Sequence, residues 1–140
     1  MKPFKVLPHT ADLAIEVWGN TLEELFENSA RGMFHLIYEK APEAQGHSFK
    51  KKFKTKNAIP GDIEMLLNLF LTTLLKFHSE EKTYLHKIAV KKLTPRKVIF
   101  CGEFYKTKEN PAHEIKSVTF HGLKIEKENQ HYKTMIVFDV

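Results

Sequence analysis

The fold of this chain is decided by one stretch, residues 13–26: Leu13-Ala14-Ile15-Glu16-Val17-Trp18-Gly19-Asn20-Thr21-Leu22-Glu23-Glu24-Leu25-Phe26. Apolar Leu13, Ile15 and Val17 recur at every second position, so residues 13–18 are predicted to form a strand with one apolar face. Thr21 and Glu24 have the spacing of a capping box, in which each side chain satisfies a free backbone N–H at a helix start. The stretch therefore predicts a strand that turns directly into a helix.

Two amphipathic helices are predicted. The first carries apolar residues at helical spacing: Leu22, Leu25, Phe26, Ala30, Met33, Phe34 and Ile37. The second should run from Ile63 to His78, with Asp62 as its N-cap after the turn Pro60-Gly61. Its apolar arc is so wide that burial on more than one side is expected, either inside the domain or against a partner.

The rest of the chain is predicted to contain seven strands. They are Phe4–Leu7, Ser48–Lys56, Tyr84–Leu93, Arg96–Phe104, Glu114–His121, Leu123–Lys127 and His131–Val140. This mixed order lacks regular βαβ alternation, so it predicts an α+β fold with two helices packed on a mostly antiparallel β-sheet. A chain of 140 residues without a linker is expected to form a single domain over residues 1–140.

Composition narrows the class of protein. Hydrophobic residues make up 42% of the chain, which suits a compact soluble fold, and no apolar run approaches the ~20 residues of a membrane span. The N-terminus lacks the features of a secretory signal. The single cysteine, Cys101, excludes an intramolecular disulfide and is expected to be a small core residue. We therefore expect a cytoplasmic protein with no membrane contact.

A row of lysines is the main charge feature of a chain whose net charge is +5. In a strand over residues 48–56, one face would carry Lys50, Lys52, Lys54 and Lys56. Such a row is typical of a solvated face or of a guarded edge strand. It would also suit a contact surface for an acidic partner or an RNA backbone.

Local motifs do not indicate an enzyme, because the sequence contains no phosphate loop, nucleophile elbow or zinc motif. Two carboxylate positions stand out instead. Asp12 closes the polar run Pro8-His9-Thr10-Ala11 before the strand, and Asp139 directly precedes the terminal carboxylate of Val140. Adjacent anions repel unless water or a cation compensates, and hard oxygen donors suit Ca²⁺ or Mg²⁺. The alternative is a frayed, solvated terminus.

Several separated blocks of the sequence, in order, resemble the archease family. They are His9-Thr10-Ala11-Asp12, the capped helix from Thr21 to Phe34, the helix after Asp62, residues 114–121 and Val137-Phe138-Asp139-Val140. The resemblance implies a small α+β protein that is not itself an enzyme. Archeases assist the RtcB-type RNA ligase in tRNA splicing by promoting its covalent guanylate intermediate and its multiple turnover. The implied partner is that ligase, and RNA would be met only indirectly through it.

The resemblance also implies a cation site. Asp12, Asp139 and the Val140 carboxylate would be the ligands of a divalent cation, typically calcium. His9 would support these ligands by hydrogen bonding. This reading replaces the frayed terminus that composition alone favours.

Three further residues follow from the same resemblance. Lys116 and His121 would face the partner or lie directly behind the ligands. Glu39, just after the first helix, could add a carboxylate, although a solvated helix end is an equal alternative.

Two rival functions stay open, together with a broader form of the ligase role. A basic RNA-binding module would use the lysines of residues 50–56. A metal-dependent hydrolase would use the same carboxylates, but it needs a general base and an open pocket that the sequence does not suggest. A general chaperone for RNA-modifying proteins is a looser form of the ligase reading.

Overall fold

The computed structural model describes residues 3–7 and 12–140. This part of the chain forms two helices, α1 (Leu22–Tyr38) and α2 (Ile63–Glu81). The strands in chain order are β1 (Phe4–Leu7), β2 (Leu13–Gly19), β3 (Gln45–Lys54), β4 (Thr83–Leu93), β5 (Val98–Lys106), β6 (Ser117–Val118), β7 (Glu126–Glu128) and β8 (His131–Asp139).

The strands divide into two antiparallel sheets. The first has the order β1-β2-β8-β6, with β7 also paired to β8, and the second has the order β3-β5-β4. β4 is an edge strand of the second sheet, and α1 contacts it there. The Val90 N–H of β4 donates to the Glu27 carboxylate of α1 at 2.8 Å. The predicted α+β class is confirmed, with two sheets in place of one.

The capping box at the start of α1 is confirmed. Thr21 Oγ1 accepts the Glu24 N–H at 3.0 Å, and Glu24 Oε1 accepts the Asn20 N–H at 3.1 Å. The turn before it is tight, because a Cβ at Gly19 would overlap the Leu25 backbone. The sequence of residues 13–26 thus specifies both the strand and the helix that folds back on it.

Helix α2 packs between the two sheets, contacting β6 of the first and β4 and β5 of the second, while Thr72 and Lys76 on its opposite side are exposed. Its N-cap is Asp62, as predicted, whose carboxylate accepts the Met65 N–H at 2.9 Å. The predicted end at His78 is wrong, because the helix continues to Glu81 and stops at Lys82, whose φ is +51°. The last turn of the helix contains only polar residues, so the apolar periodicity of the sequence could not show that the helix extends through it.

One hydrophobic core joins the two sheets through the helices. At its centre the Phe70 ring of α2 lies 5.4 Å from Phe26 of α1 and 4.6 Å from Phe100 of β5, measured between ring centroids. Such tilted and edge-on contacts are the favourable geometries for aromatic pairs. The wide apolar arc of α2 is thus explained by burial on several sides. No helix in residues 3–7 and 12–140 is long and apolar enough to cross a bilayer.

Two predicted strands are shorter than expected. Of residues 114–121 only Ser117–Val118 is a strand, flanked by single bonds from the Lys116 and Thr119 N–H groups to β8. β8 stops at Asp139, so residues before 116 have no strand to pair with. Residues 123–127 also pair later than predicted, since the turn at Gly122 (φ +65°) delays β7 to Glu126.

The second sheet corrects one expectation and confirms another. Cys101 is half-buried in β5 and is not part of the core. β3 is an edge strand with exposed Lys50, Lys52 and Lys54, which confirms the prediction that the lysine row lies on an edge strand. Lys56 lies beyond the end of β3.

A buried histidine closes the end of α2. His78 Nδ1 lies 2.9 Å from the Thr83 carbonyl oxygen, so Nδ1 carries the proton and donates it. The ring stands edge-on to Phe34 and Tyr38, with centroids 5.7 and 5.5 Å away. Burial lowers the pKa of His78, and the bond to the Thr83 carbonyl opposes this only in part.

We expect His78 to make the protein less stable in mild acid. A histidine whose folded pKa is lowered binds its proton more readily when unfolded, so stability is lost as the pH falls below about 6.5. The free energy of unfolding, measured by urea denaturation at pH 7.0 and 5.5, should fall for the wild type and fall less for His78→Gln. The exposed His47→Gln serves as the matched control and should keep the wild-type dependence. Equal dependence in His78→Gln and the wild type would contradict the assignment.

Candidate functional site

The two predicted halves of the cation site meet at one end of the first sheet. β2 and β8 are antiparallel neighbours, and their register pairs Leu13 with Phe138. Asp12 precedes Leu13 and Asp139 follows Phe138, so the two aspartates lie one residue beyond this pair at the same end. The fold thus brings together residues from opposite ends of the chain.

The predicted ligands at this end are all hard oxygen donors. Asp12 is half-buried and Asp139 is exposed. Val140, the last residue of the sequence, is 39% exposed and would add its terminal carboxylate. Two or three carboxylates with open solvent beside them fit Ca²⁺ or Mg²⁺, which take oxygen ligands and keep some water. Whether a cation binds here stays a prediction.

Side chains alone do not form a complete metal site here. Within residues 3–7 and 12–140, no three His, Cys, Asp or Glu side chains are grouped so as to hold a metal ion. The predicted set contains only two such side chains, Asp12 and Asp139, and it depends on the terminal carboxylate for its third group. His9 lies outside the described residues, so its role stays a prediction.

Lys116 adjoins the same end of the sheet. Its N–H donates to the Asp139 carbonyl oxygen at 2.8 Å, and the next residue, Ser117, is paired with Asp139 in the β6–β8 ladder. The Lys116 side chain is exposed. The backbone of residue 116 therefore fixes the position of Asp139, while its ammonium group is free to meet solvent or a partner.

His121 lies farther along the same segment. Its N–H donates to Thr119 Oγ1 at 3.2 Å, and its side chain is exposed. The neighbouring Phe120 is 57% exposed, which is unusual for a large apolar ring. The segment from Lys116 to His121 thus presents a cation, an aromatic ring and an imidazole on the surface beside β8.

Glu39 ends α1 with a φ of +61°. α1 runs antiparallel to β2, because its residue Leu25 adjoins Gly19 and its residue Gly32 adjoins Ile15. Glu39 therefore lies toward the end of the sheet where β2 begins. Its Oε1 is 3.8 Å from His113 Nε2, so the neighbour that the structure gives this exposed carboxylate is a histidine.

Two anchors that support this surface were missed by sequence reasoning. The Asn68 amide of α2 donates to the Val118 carbonyl at 2.9 Å, and the Glu64 carboxylate accepts the Ile125 N–H at 2.9 Å. The first ties β6 to α2, and the second ties the segment between β6 and β7 to it. Each joins residues far apart in the chain, and a polar residue on a helix gives no local sign of such a partner.

The chain is similar to proteins of one family over its whole length. The sequence model described as "Archease protein family (MTH1598/TM1083)" matches residues 4–140. The protein archease of Methanosarcina acetivorans is 31% identical over 146 residues, covering 99% of this chain and 97% of the relative. That of Pyrococcus furiosus is 32% identical over 134 residues, covering 91% and 90%.

Two solved structures share the fold. The solution structure of Methanobacterium thermoautotrophicum protein 1598 matches with a TM-score of 0.69 and 27% identity, covering all of both chains. The crystal structure of a Thermotoga maritima protein, described as an archease and possible chaperone, matches with a TM-score of 0.68 and 26% identity. It covers 97% of this chain and 96% of that one.

Proposed function

This chain belongs to the archease family, and we propose that it activates an RtcB-type RNA ligase without catalysing the ligation itself. The ligase seals RNA ends in tRNA splicing, and the chain would promote its covalent guanylate intermediate and its multiple turnover. The observation that most supports this role is the β2–β8 register, in which Leu13 faces Phe138. We propose as ligands the two aspartates that lie one residue beyond this pair, Asp12 and Asp139.

The proposed site holds a divalent cation, typically calcium, on Asp12, Asp139 and the Val140 carboxylate. When bound, the cation would supply positive charge that offsets the repulsion between these groups. The protein's own residues do the positioning, since β2 and β8 hold the two aspartates and the Lys116 N–H holds the Asp139 backbone. The outcome is a rigid, metal-bearing tip.

The tip would meet the ligase near its active site, where it could position or deliver metal or open the site for GTP. The exposed segment Lys116–His121 runs beside this tip and includes the exposed Phe120. An exposed aromatic ring flanked by polar groups is a common anchor in protein interfaces. We therefore assign the partner-facing role to this segment.

The decisive experiment measures guanylation of the RtcB-type ligase from the same organism with labelled GTP and a divalent metal. We expect this chain to raise the rate of guanylate formation and to convert single-turnover joining of a cyclic-phosphate end to a 5′-hydroxyl into multiple turnover. The chain alone should join no RNA. An unchanged guanylation rate with this chain in excess would overturn the proposal.

A general chaperone role is the second candidate, favoured by the description of the Thermotoga maritima relative as a possible chaperone. A chaperone should suppress aggregation of several unrelated RNA-modifying proteins and should not need the Asp139 carboxylate. Activation confined to the ligase and dependent on Asp139 would exclude it.

A further inference from the structure

The outer face of the second sheet carries an organised set of lysines, here called the basic face. On the edge strand β3 these are Lys50, Lys52 and Lys54, and on β4 they are Lys87 and Lys92. Lys50 of β3 and Lys87 of β4 are both paired with Glu103 of β5. Lys54 and Lys92 are both paired with Ile99. The lysines thus form two rows, one on each side of the central strand.

The centre of the basic face is nearly uncharged. Between the rows lie the half-buried side chains of Ile99 and Cys101, and half-buried Ala89 separates Lys87 from Lys92 on β4. Glu103 is the one carboxylate among the outward side chains of these three strands, and it accepts a hydrogen bond from Ser48 Oγ at 2.8 Å. That bond lowers the pKa of Glu103, and Lys87, His86 and Lys50 act in the same direction. Five lysines therefore face a single anion.

Protection of a sheet edge does not account for both rows. The lysines of β3 lie on a free edge, where they block pairing with another chain. β4 is different, because α1 meets its edge through the bond between Glu27 and Val90. Lys87 and Lys92 therefore have no edge to guard, although both are exposed. Edge protection thus explains the lysines of β3 but not those of β4, and a role of the whole basic face would explain both.

We propose that the basic face binds the phosphate backbone of single-stranded RNA. Alternate residues on a strand are about 6.6 Å apart, so Lys50, Lys52 and Lys54 repeat their charge at a spacing close to that of phosphates along an extended strand. Lys87 and Lys92 lie farther apart on β4, at the two ends of the same stretch of β5. Ile99 and Cys101 lie between the rows and carry no charge, so nothing there repels a nucleic-acid strand held by the lysines. An evenly repeated row of cations matches the evenly repeated charge of a phosphate backbone, so we assign the face to RNA and not to an acidic protein. The choice of RNA rests on the proposed function, whereas the fit to phosphates does not.

The test is direct binding of a fluorescein-labelled 20-nucleotide oligouridylate, followed by anisotropy between 50 and 200 mM salt. EDTA is present throughout, so the result does not depend on the cation site, and no ligase is added. If all five lysines contact phosphates, the logarithm of the binding constant should fall against the logarithm of salt with a slope of about −3.5, at ~0.7 per contact.

The triple variant Lys50→Ser, Lys52→Ser, Lys54→Ser should reduce that slope by about 2 and weaken binding at 50 mM salt at least ~10-fold. The matched control is Lys5→Ser, Lys40→Ser, Lys124→Ser, which removes the same charge from exposed lysines outside β3, β4 and β5. It should bind within about threefold of the wild type, because only the long-range field changes. Glu103→Gln should bind more tightly than the wild type, since it removes the central anion.

Three outcomes would overturn the proposal: no binding at 50 mM salt, an equal loss in the control triple variant, or tighter binding of polyglutamate through the same lysines. The last would assign the face to an acidic protein. Ligase activation could survive each of these results, and RNA binding could survive failure of the ligase experiment. The two proposals are therefore tested separately.

Discussion

Asp139→Ala is expected to abolish both the calcium-dependent stabilisation of this protein and its activation of the ligase. The wild type should gain about 2.7 kcal/mol in its free energy of unfolding when calcium is 100 times its dissociation constant. The variant should gain nothing, because it loses one of the two aspartates that flank the Leu13–Phe138 pair. Thermal unfolding with calcium and with EDTA measures the difference.

The sign of the effect should invert without calcium. Asp139 is exposed, so truncation to alanine loses little packing. It also removes a negative charge from a position close to other carboxylates, and this reduces the repulsion between them when calcium is absent. Asp139→Ala should therefore be at least as stable as the wild type in EDTA and less stable in calcium. A purely structural role for Asp139 would instead destabilise the protein in both conditions.

Two further variants sharpen this prediction. A short Gly-Ser extension after Val140 moves the terminal carboxylate away and should also abolish the calcium gain, while every side chain is kept. Glu126→Gln is the matched control, since it removes an exposed carboxylate opposite Lys133, toward the other end of β8. It should keep the full gain. Normal calcium stabilisation and normal ligase activation in both Asp139→Ala and the extended chain would contradict the cation site.

Sequence reasoning succeeded where the determining contacts are local. The capping box of Thr21 and Glu24 acts within one helical turn. The two strands predicted on either side of residues 94–95 are likewise joined by a local turn, in which the Thr94 N–H donates to the Lys97 carbonyl. The division into two sheets depends on contacts between distant segments, such as Glu27 with Val90. Periodicity reports which face of a strand is apolar but not which strand lies beside it.

The basic face shows the same limit in finer detail. Strict alternation puts Lys87 on the same side of β4 as Leu85, which is buried. The register shifts between Leu85 and Lys87 and again between Val90 and Lys92, so both lysines turn to the outer face. An irregularity of this kind leaves no apolar pattern in the sequence. The row on regular β3 could thus be predicted, and its counterpart on β4 could not.

The cation site is an intermediate case. The residue types at Asp12 and Asp139 indicate oxygen-donor chemistry, and the resemblance to a family pairs them, but nothing local to either residue relates the two positions. Their common location follows from the antiparallel pairing of β2 with β8, a contact between the two ends of the chain. The ligands could therefore be named from the sequence, whereas their proximity required the fold.

Phe70→Ala is expected to remove a large part of the protein's stability. The Phe70 side chain is fully buried and touches aromatic rings from both α1 and β5. Truncation of a buried phenylalanine costs about 3–5 kcal/mol, through lost burial and the cavity that remains. Small domains have only about 5–15 kcal/mol in total, so the urea midpoint should fall sharply.

The matched control is Phe120→Ala, which makes the same chemical change at a ring that is 57% exposed. It should change the free energy of unfolding by no more than about 0.5 kcal/mol, because little packing is lost there. If Phe120 is a partner anchor as proposed, this variant should weaken ligase activation without loss of stability, whereas Phe70→Ala should weaken activation only as far as it unfolds the protein. A loss below about 1 kcal/mol for Phe70→Ala would mean that the helices and the second sheet do not share one cooperative core.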